Sequence, residues 1–196
     1  MNGSTTRYGI IAYGLCAIGL GSGGIATGDF SFAWPGAPGW VLPAFGGGFA
    51  LVACGLLALT SAPSLWVLRV SAAVYALWAV TLHAPRVAFF PGSGIAWWAL
   101  AEVAALAVAG LALARRMDGA GRDPPALPVP AVAAFPAMVA SSAALHMLAL
   151  AADPHALRLW PALLIPLALA GSVRLPAGST PAAAPDARVT RNSHAH

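Results

Sequence analysis

Residues 82–102 read LHAPRVAFFPGSGIAWWALAE and place a histidine, an arginine and a carboxylate around one reversal between two apolar segments. Residues 91–94 (PGSG) predict the turn, because proline and glycine interrupt helices. The flanking segments are apolar enough for helices in a lipid bilayer. Since only 8% of the chain is charged, His83, Arg86 and Glu102 within twenty positions require a physical explanation.

The composition predicts an all-α integral membrane protein. Hydrophobic residues make up 59% of the 196 residues and the mean hydropathy is +0.78, whereas an ordinary soluble domain is about 25% charged. All ten basic residues are arginines. They fall at helix ends and in short loops, where membrane topology explains them. The net charge of +4 therefore indicates a lipid bilayer as the partner and no nucleic acid.

Six apolar segments predict about six transmembrane helices. About 20 apolar residues are needed to cross roughly 30 Å of hydrocarbon. The predicted helices are Tyr8–Thr27, Val41–Thr60, Leu65–His83, Ile95–Ala114, Val132–Ala151 and Leu157–Val173. Small residues recur every four positions in the first two, which favours close helix packing. The pattern indicates a four-helix transmembrane bundle followed by a C-terminal helical hairpin.

The chain divides into four segments. These are a four-helix membrane unit (1–116), a proline-rich cytoplasmic linker (117–130), two further transmembrane helices (131–174) and a cytoplasmic tail expected to be disordered (175–196).

Arginine placement predicts that both termini are cytoplasmic. With that orientation, the inner side holds Arg7, Arg69, Arg115, Arg116, Arg122, Arg174, Arg188 and Arg191, and the outer side holds Arg86 and Arg158. Positive charge is enriched in cytoplasmic loops. Together with the arginine, alanine and glycine bias of a high-GC bacterial genome, this favours a multi-pass protein of the bacterial inner membrane.

The same orientation brings seven polar residues to the outer half of the membrane, namely Asp29, His83, Arg86, Glu102, His146, Asp153 and His155. The candidate ligand-binding residues are Asp29, His83, Arg86, Glu102 and His146. At 1.5 Å per residue, Glu102 lies about 10 Å below the start of its helix and His146 roughly 7 Å below the end of its own. We therefore expect these two side chains at similar depths.

Glu102 is the strongest candidate for a residue with a specific role. Placing an ionisable group at membrane depth costs about 3 kcal/mol on insertion scales, so such a residue usually has a partner or a function. One interpretation is a structural pair with Arg86 or His83. A second is a catalytic acid/base or ligand-orienting group in an outward-facing pocket. A third is a protonated, unpaired carboxyl. The residues alone leave these alternatives open, and with them the question of enzymatic activity.

Other chemistries have weak support. His83, His146 and Glu102 lack the short-range spacing of known metal motifs, so no metal site is predicted. Cys16 and Cys54 lack a CxxC partner, which argues against a dithiol redox site.

Several short motifs resemble the DoxX family of bacterial membrane proteins over about Tyr8 to Arg116. The motifs are Gly28-Asp29-Phe30, Trp34-Pro35, Pro38-Gly39-Trp40, Gly55-Leu56-Leu57, Leu82-His83-Ala84-Pro85-Arg86-Val87, and Trp98 ahead of Glu102 and Gly110. The resemblance implies a four-helix bundle with Asp29, His83, Pro85, Arg86 and Glu102 on family-like positions. It also implies an association with membrane oxidoreductases, including thiosulfate:quinone oxidoreductase. Many relatives carry a histidine shortly before the GDF-like turn, which this chain lacks.

Two functions are predicted. The first is a non-catalytic subunit or assembly factor of a membrane redox or envelope complex, with an oxidoreductase or a second copy of the chain as partner. The alternative is a small membrane enzyme or a quinone- or lipid-binding protein with a quinone as cofactor. Its outward pocket would be lined by His83, Arg86, Glu102, His146 and an outer belt of tryptophans, namely Trp34, Trp40, Trp97, Trp98 and Trp160. A transporter is a weaker hypothesis, because the chain shows no clear inverted repeat.

Overall fold

The computed structural model describes residues 3–27, 41–60, 64–118, 129–155 and 160–172, and all the regular structure in these ranges is helical. The helices are α1 (Gly3–Thr27), α2 (Val41–Ala58), α3 (Leu65–Trp78), α4 (Ala84–Phe89), α5 (Gly94–Met117), α6 (Val129–Ala152) and α7 (Leu164–Ser172). A π-helical turn, Ala79–His83, joins α3 to α4, and a 3-10 turn, Pro161–Leu163, precedes α7. The all-helical prediction is confirmed. The loop with Asp29, most of the linker and the tail lie outside the described residues.

Three of the described helical stretches are long and apolar enough to cross a membrane. They are Thr6–Ala26, Leu65–Phe89 and Gly94–Met117. Three apolar stretches are shorter, namely Phe45–Ala58, Pro136–Ala152 and Pro161–Ser172. The last of these covers roughly 18 Å at 1.5 Å per residue, against about 30 Å of hydrocarbon. Three spans are therefore found in the described ranges, and the count of six stays a prediction.

The third predicted helix was expected to end at His83, but the helical path continues to Phe89. Pro85 has no backbone N–H and interrupts the ordinary i to i−4 pattern. The chain accommodates it by widening one turn, in which the Ala84 N–H donates to the Ala79 carbonyl five residues earlier. Such π turns insert one residue without ending a helix. The turn also places His83 inside the protein, where only 4% of the residue is exposed.

Helices α1 and α2 pack closely along pairs of glycines. A Cβ atom built on Gly21 would lie 2.5 Å from the Gly48 carbonyl oxygen, and one on Gly55 would lie 2.6 Å from the Gly14 carbonyl oxygen. In each helix the two glycines are seven positions apart, so both fall on one face. Small-residue packing of the first two helices was expected. The closest contacts use this seven-residue spacing, in place of the four-residue stripes identified in the sequence.

The C-terminal helix α7 packs into the same core as the N-terminal unit. Gly9 of α1 and Gly171 of α7 lie in direct backbone contact. Four buried residues from this end of the chain join the hydrophobic core formed by α1, α2, α3 and α5, namely Ala162, Ile165, Ala168 and Leu169. Helix α6 lies at the edge and packs mainly on α7. Among its described side chains, only Ser142 and Leu150 are buried.

An ion pair fastens one end of the bundle. Arg69 in α3 lies 3.2 Å from Asp118, the residue that caps α5. The same guanidinium stacks over the Trp66 ring, 5.6 Å from its centroid. Both charged side chains are more than 40% exposed, so this pair contributes little stability. It does place the beginning of α3 beside the end of α5, which sets these two helices antiparallel.

Candidate functional site

Glu102 lies within α5, about 12 Å along the axis from the first residue of that helix. It is 4% exposed. Trp98, one turn earlier on the same helix, donates its indole N–H to the Oε1 of Glu102 at 2.9 Å. Residues four apart lie on one face of a helix, so α5 itself supplies the first partner of its buried carboxylate.

Helix α6 supplies the other two partners. Ser142 donates its hydroxyl to Oε1 of Glu102 at 2.5 Å. The Nε2 of His146 lies 3.1 Å from Oε1 and 3.3 Å from Oε2. Ser142 and His146 are also four residues apart, so one face of α6 presents both to α5. Serine, histidine and tryptophan together surround the carboxylate on the sides facing α5 and α6.

The contact between His146 and Glu102 is an ion pair when His146 is protonated, and a hydrogen bond from the Nε2–H to the carboxylate when His146 is neutral. The His146 side chain is 18% exposed and that of Glu102 only 6%. His146 is therefore the more accessible member of the pair.

His83 and Arg86 approach this pair from the π turn and α4. His83 is buried, and its Nδ1 makes no hydrogen bond within the described part of the chain. The charges of both Arg86 and Glu102 act on His83. One interpretation from the sequence paired Glu102 with Arg86 or His83. The structure shows an ion pair between Glu102 and His146, which α6 brings to the carboxylate.

The structure thus brings together three of the five predicted residues, with Glu102 and His146 in contact and His83 within electrostatic range. The charge of Arg86 also acts on His83, and Asp29 is outside the described ranges. The five predicted binding residues did not include two members of the site, Ser142 and Trp98. Helical spacing could have identified both residues, since Trp98 lies four positions before Glu102 and Ser142 lies four positions before His146.

No three histidine, cysteine, aspartate or glutamate side chains in the described ranges are grouped closely enough to hold a metal ion. Cys16 and Cys54 are both buried and free.

No protein-family model, curated protein or solved structure matches this chain. The resemblance to DoxX proteins therefore stays a prediction based on the motifs quoted above.

Proposed function

We propose that this protein is a non-catalytic subunit or assembly factor of a redox or envelope complex in the bacterial inner membrane. The observation that carries the proposal is the state of Glu102, whose oxygens accept hydrogen bonds from Trp98, Ser142 and His146 of the same chain. Three of these contacts converge on Oε1, and His146 also reaches Oε2 at 3.3 Å, so the carboxylate links α5 to α6 within one chain. It therefore serves as a fastening point between two helices.

The geometry of α6 supports this structural role. Helix α6 packs mainly on α7, and its hydrogen bonds to α5 come from Ser142 and His146. A polar bridge in hydrocarbon is directional, so it determines which face of a helix points inward. The bridge to Glu102 therefore holds the opposite face of α6 outward in a constant orientation.

That outward face carries small residues suited to a partner helix. Four exposed positions follow one another along it, namely Ala137, Ala140, Ser141 and Ala144. In lipid, helices associate through small residues that allow close backbone approach. A helix of a membrane oxidoreductase, or α6 of a second copy of this chain, fits such a face.

The test is purification in mild detergent from the native host at native expression level. We expect the unmodified chain to carry a stoichiometric protein partner and Ala140→Phe to lose it. Ala76→Phe is the matched control, because Ala76 is an exposed alanine on α3. An unmodified chain that purifies as a monodisperse, partner-free monomer with an activity of its own would show the proposal to be wrong.

We further propose that both termini are cytoplasmic, on the arginine distribution of the sequence. Reporter fusions that fluoresce only in the cytoplasm test each end separately. Fluorescence from both the N-terminal and the C-terminal fusion is expected. A dark fusion at either end that is nevertheless inserted and stable would contradict this orientation.

A second function, a quinone- or lipid-binding protein or small membrane enzyme, has its own supporting observation. The accessible His146 and the buried, unbonded Nδ1 of His83 are both available to donate to a carbonyl oxygen. Organic extraction of the purified protein followed by mass spectrometry tests it. A stoichiometric quinone or lipid without a protein partner, lost on Glu102→Gln, would favour this function over the first.

A further inference from the structure

One end of the bundle carries an excess of positive charge. Helix α3 begins where α5 ends, since Arg69 lies 3.2 Å from Asp118. Helix α1 begins at this end too, because a Cβ built on Gly9 would lie 3.1 Å from the side chain of Leu113 in α5. We call it the basic end, because its described charged residues are four arginines and one carboxylate, namely Arg7, Arg69, Arg115, Arg116 and Asp118.

Arg115 has no carboxylate partner in the described part of the chain. The described carboxylate at the basic end is that of Asp118, which pairs with Arg69. Arg115 lies three positions before Asp118, so both residues project from one face of α5, and Arg115 is exposed. This surface therefore presents two guanidinium groups, those of Arg69 and Arg115, for one carboxylate. A second anion would balance their charge.

Apolar faces of two spanning helices lead up to these arginines. Val108 and Leu111 are exposed on α5 and lie seven and four positions before Arg115, so the three side chains share one face. Val70 and Leu77 are exposed on α3, and their seven-residue spacing also places them on one face. Both helices are long and apolar enough to cross a membrane. Their exposed apolar faces therefore contact acyl chains, and on α5 this face ends in a positive charge.

Trp66 marks the level of the lipid headgroups at the basic end. It lies four positions before Val70 and is 70% exposed, and tryptophan is enriched at the boundary between hydrocarbon and water. The Arg69 guanidinium lies over the Trp66 ring, 5.6 Å from its centroid. Arg115 lies about 4.5 Å along the helix axis from Asp118, the partner of Arg69. Both arginines therefore lie within about one helical turn of the headgroup level.

The chemistry of this surface fits a lipid phosphate. An arginine guanidinium binds phosphate oxygens through charge-assisted hydrogen bonds, and basic surfaces between spanning helices on the cytoplasmic side bind anionic headgroups. We propose that the basic end binds one anionic phospholipid such as phosphatidylglycerol, with its phosphate on Arg69 and Arg115 and its acyl chains along the exposed faces of α3 and α5. The pair with Asp118 uses the Nη2 of Arg69. Since a guanidinium has five N–H donors, donors remain for the phosphate.

The lipid site is distinct from the Glu102 site and from the partner face of α6. Glu102 lies thirteen positions before Arg115, which is about 20 Å along α5. The residues that bind the lipid belong to α3 and α5, whereas the proposed partner face lies on α6. Lipid binding here goes beyond the proposed subunit role, and loss of the lipid and loss of a protein partner are separate results.

Native mass spectrometry of the full chain, released from detergent with added lipid, tests for the site. Phosphatidylglycerol and phosphatidylcholine with identical acyl chains are titrated in parallel, because they share the apolar part and differ in net charge. We expect one phosphatidylglycerol to be retained per chain at a collision energy that removes phosphatidylcholine. Equal retention of the two lipids would overturn the proposal. Displacement by inorganic phosphate would overturn it too, because a lipid held by its acyl chains as well is not displaced by the free ion.

Arg115→Gln should weaken phosphatidylglycerol binding by about tenfold, since a charge-assisted contact to the phosphate is lost. Arg7→Gln is the matched control, because Arg7 is exposed at the same end on α1 and the substitution removes the same charge. It should change binding by less than about twofold, because exposed charges away from the phosphate are screened by salt. Equal losses in the two variants would show that the lipid responds to overall charge, and the assigned site would be wrong.

Melting temperatures separate lipid binding from folding. Without added lipid, Arg115→Gln should melt at the same temperature as the unmodified chain, because substitutions at exposed positions usually have small effects. Phosphatidylglycerol should raise the melting temperature of the unmodified chain and of Arg7→Gln, since a ligand stabilises the state that binds it. It should raise that of Arg115→Gln much less. An equal rise in all three proteins would contradict the site.

Discussion

Glu102 is buried among helices at a position where an unpaired charge is costly. Leaving one buried partner unsatisfied costs about 1 to 3 kcal/mol, and more for charged groups. Three donors from two helices offset this cost. At the residue scale, the stability of the site therefore depends on complete hydrogen bonding, and single substitutions reveal how much each partner contributes.

Glu102→Leu should lower the free energy of unfolding by about 3 kcal/mol, because it leaves the buried Ser142 hydroxyl and the Trp98 indole without an acceptor. Glu102→Gln keeps an acceptor oxygen for both donors and should cost distinctly less. Thermal denaturation in detergent, followed by the loss of the monodisperse peak, measures the difference. Equal melting temperatures for the two variants would mean that the carboxylate does not fasten α6.

Ser142→Ala should destabilise the protein by about 1 kcal/mol, the typical net contribution of one hydrogen bond. Its neighbour provides the matched control, because Ser141 is exposed and lies about 100° around the helix from Ser142. Ser141→Ala should change stability by less than about 0.5 kcal/mol, as surface substitutions usually do. The same melting assay applies, and the hydrogen bond would be unimportant if both variants melted together.

At the scale of the helices, close packing depends on where the glycines lie. Gly14 and Gly21 of α1 meet Gly55 and Gly48 of α2 in antiparallel order. The seven-residue spacing keeps both contacts on one seam as the helices wind around each other. The sequence of these helices also shows small residues at four-residue intervals. Periodicity alone therefore did not tell which face of each helix, the four-residue stripe or the seven-residue glycine pair, makes the contact.

Gly55→Ala should destabilise the α1 and α2 pair by roughly 1 to 3 kcal/mol, since the added methyl group would overlap the Gly14 backbone and Ile18 and overpacking is costly. Gly46 lies on the same helix, and a Cβ built there has nothing within 4 Å. Gly46→Ala should be neutral or stabilising by about 0.5 kcal/mol. A melting temperature for Gly55→Ala at or above that of Gly46→Ala would contradict the seam.

The π turn is a further feature at this scale. The proline at position 85 and the histidine before it indicated the end of a helix, because proline usually marks a helix boundary. The chain instead kept its helical path with one wider turn. A proline in the sequence does not show whether the helix ends there or continues through a π turn. That choice depends on how the residues before and after the proline pack in the tertiary structure.

At the scale of the whole molecule, the two ends of the chain share one core. Helix α7 inserts Ile165, Ala168 and Leu169 against α1 and α5, and Gly9 touches Gly171. The described residues of the N-terminal unit therefore depend on the C-terminal end for part of their burial. The sequence predicts a boundary at residues 117–130, and helices from both sides of that segment share the core.

A chain truncated after Asp118 should be unstable, because it loses α7 from the core and the α6 partners of Glu102. We expect poor accumulation and an aggregated elution profile when it is expressed as a fluorescent fusion. Co-expression of residues 129–196 should restore part of the monodisperse peak. Truncated protein with the profile and melting temperature of the full chain would establish 1–118 as an independent unit.

The sequence alone determined the helical class and the apolar segments, because hydrophobicity and Gly/Pro punctuation are local properties of the chain. It also determined that Trp98 shares a face with Glu102 and Ser142 with His146, since four-residue spacing is intrinsic to a helix. The tertiary structure alone decided that these two pairs meet. Glu102 and His146 are 44 positions apart, and their contact depends on how α6 and α7 pack against the bundle, which no local pattern encodes.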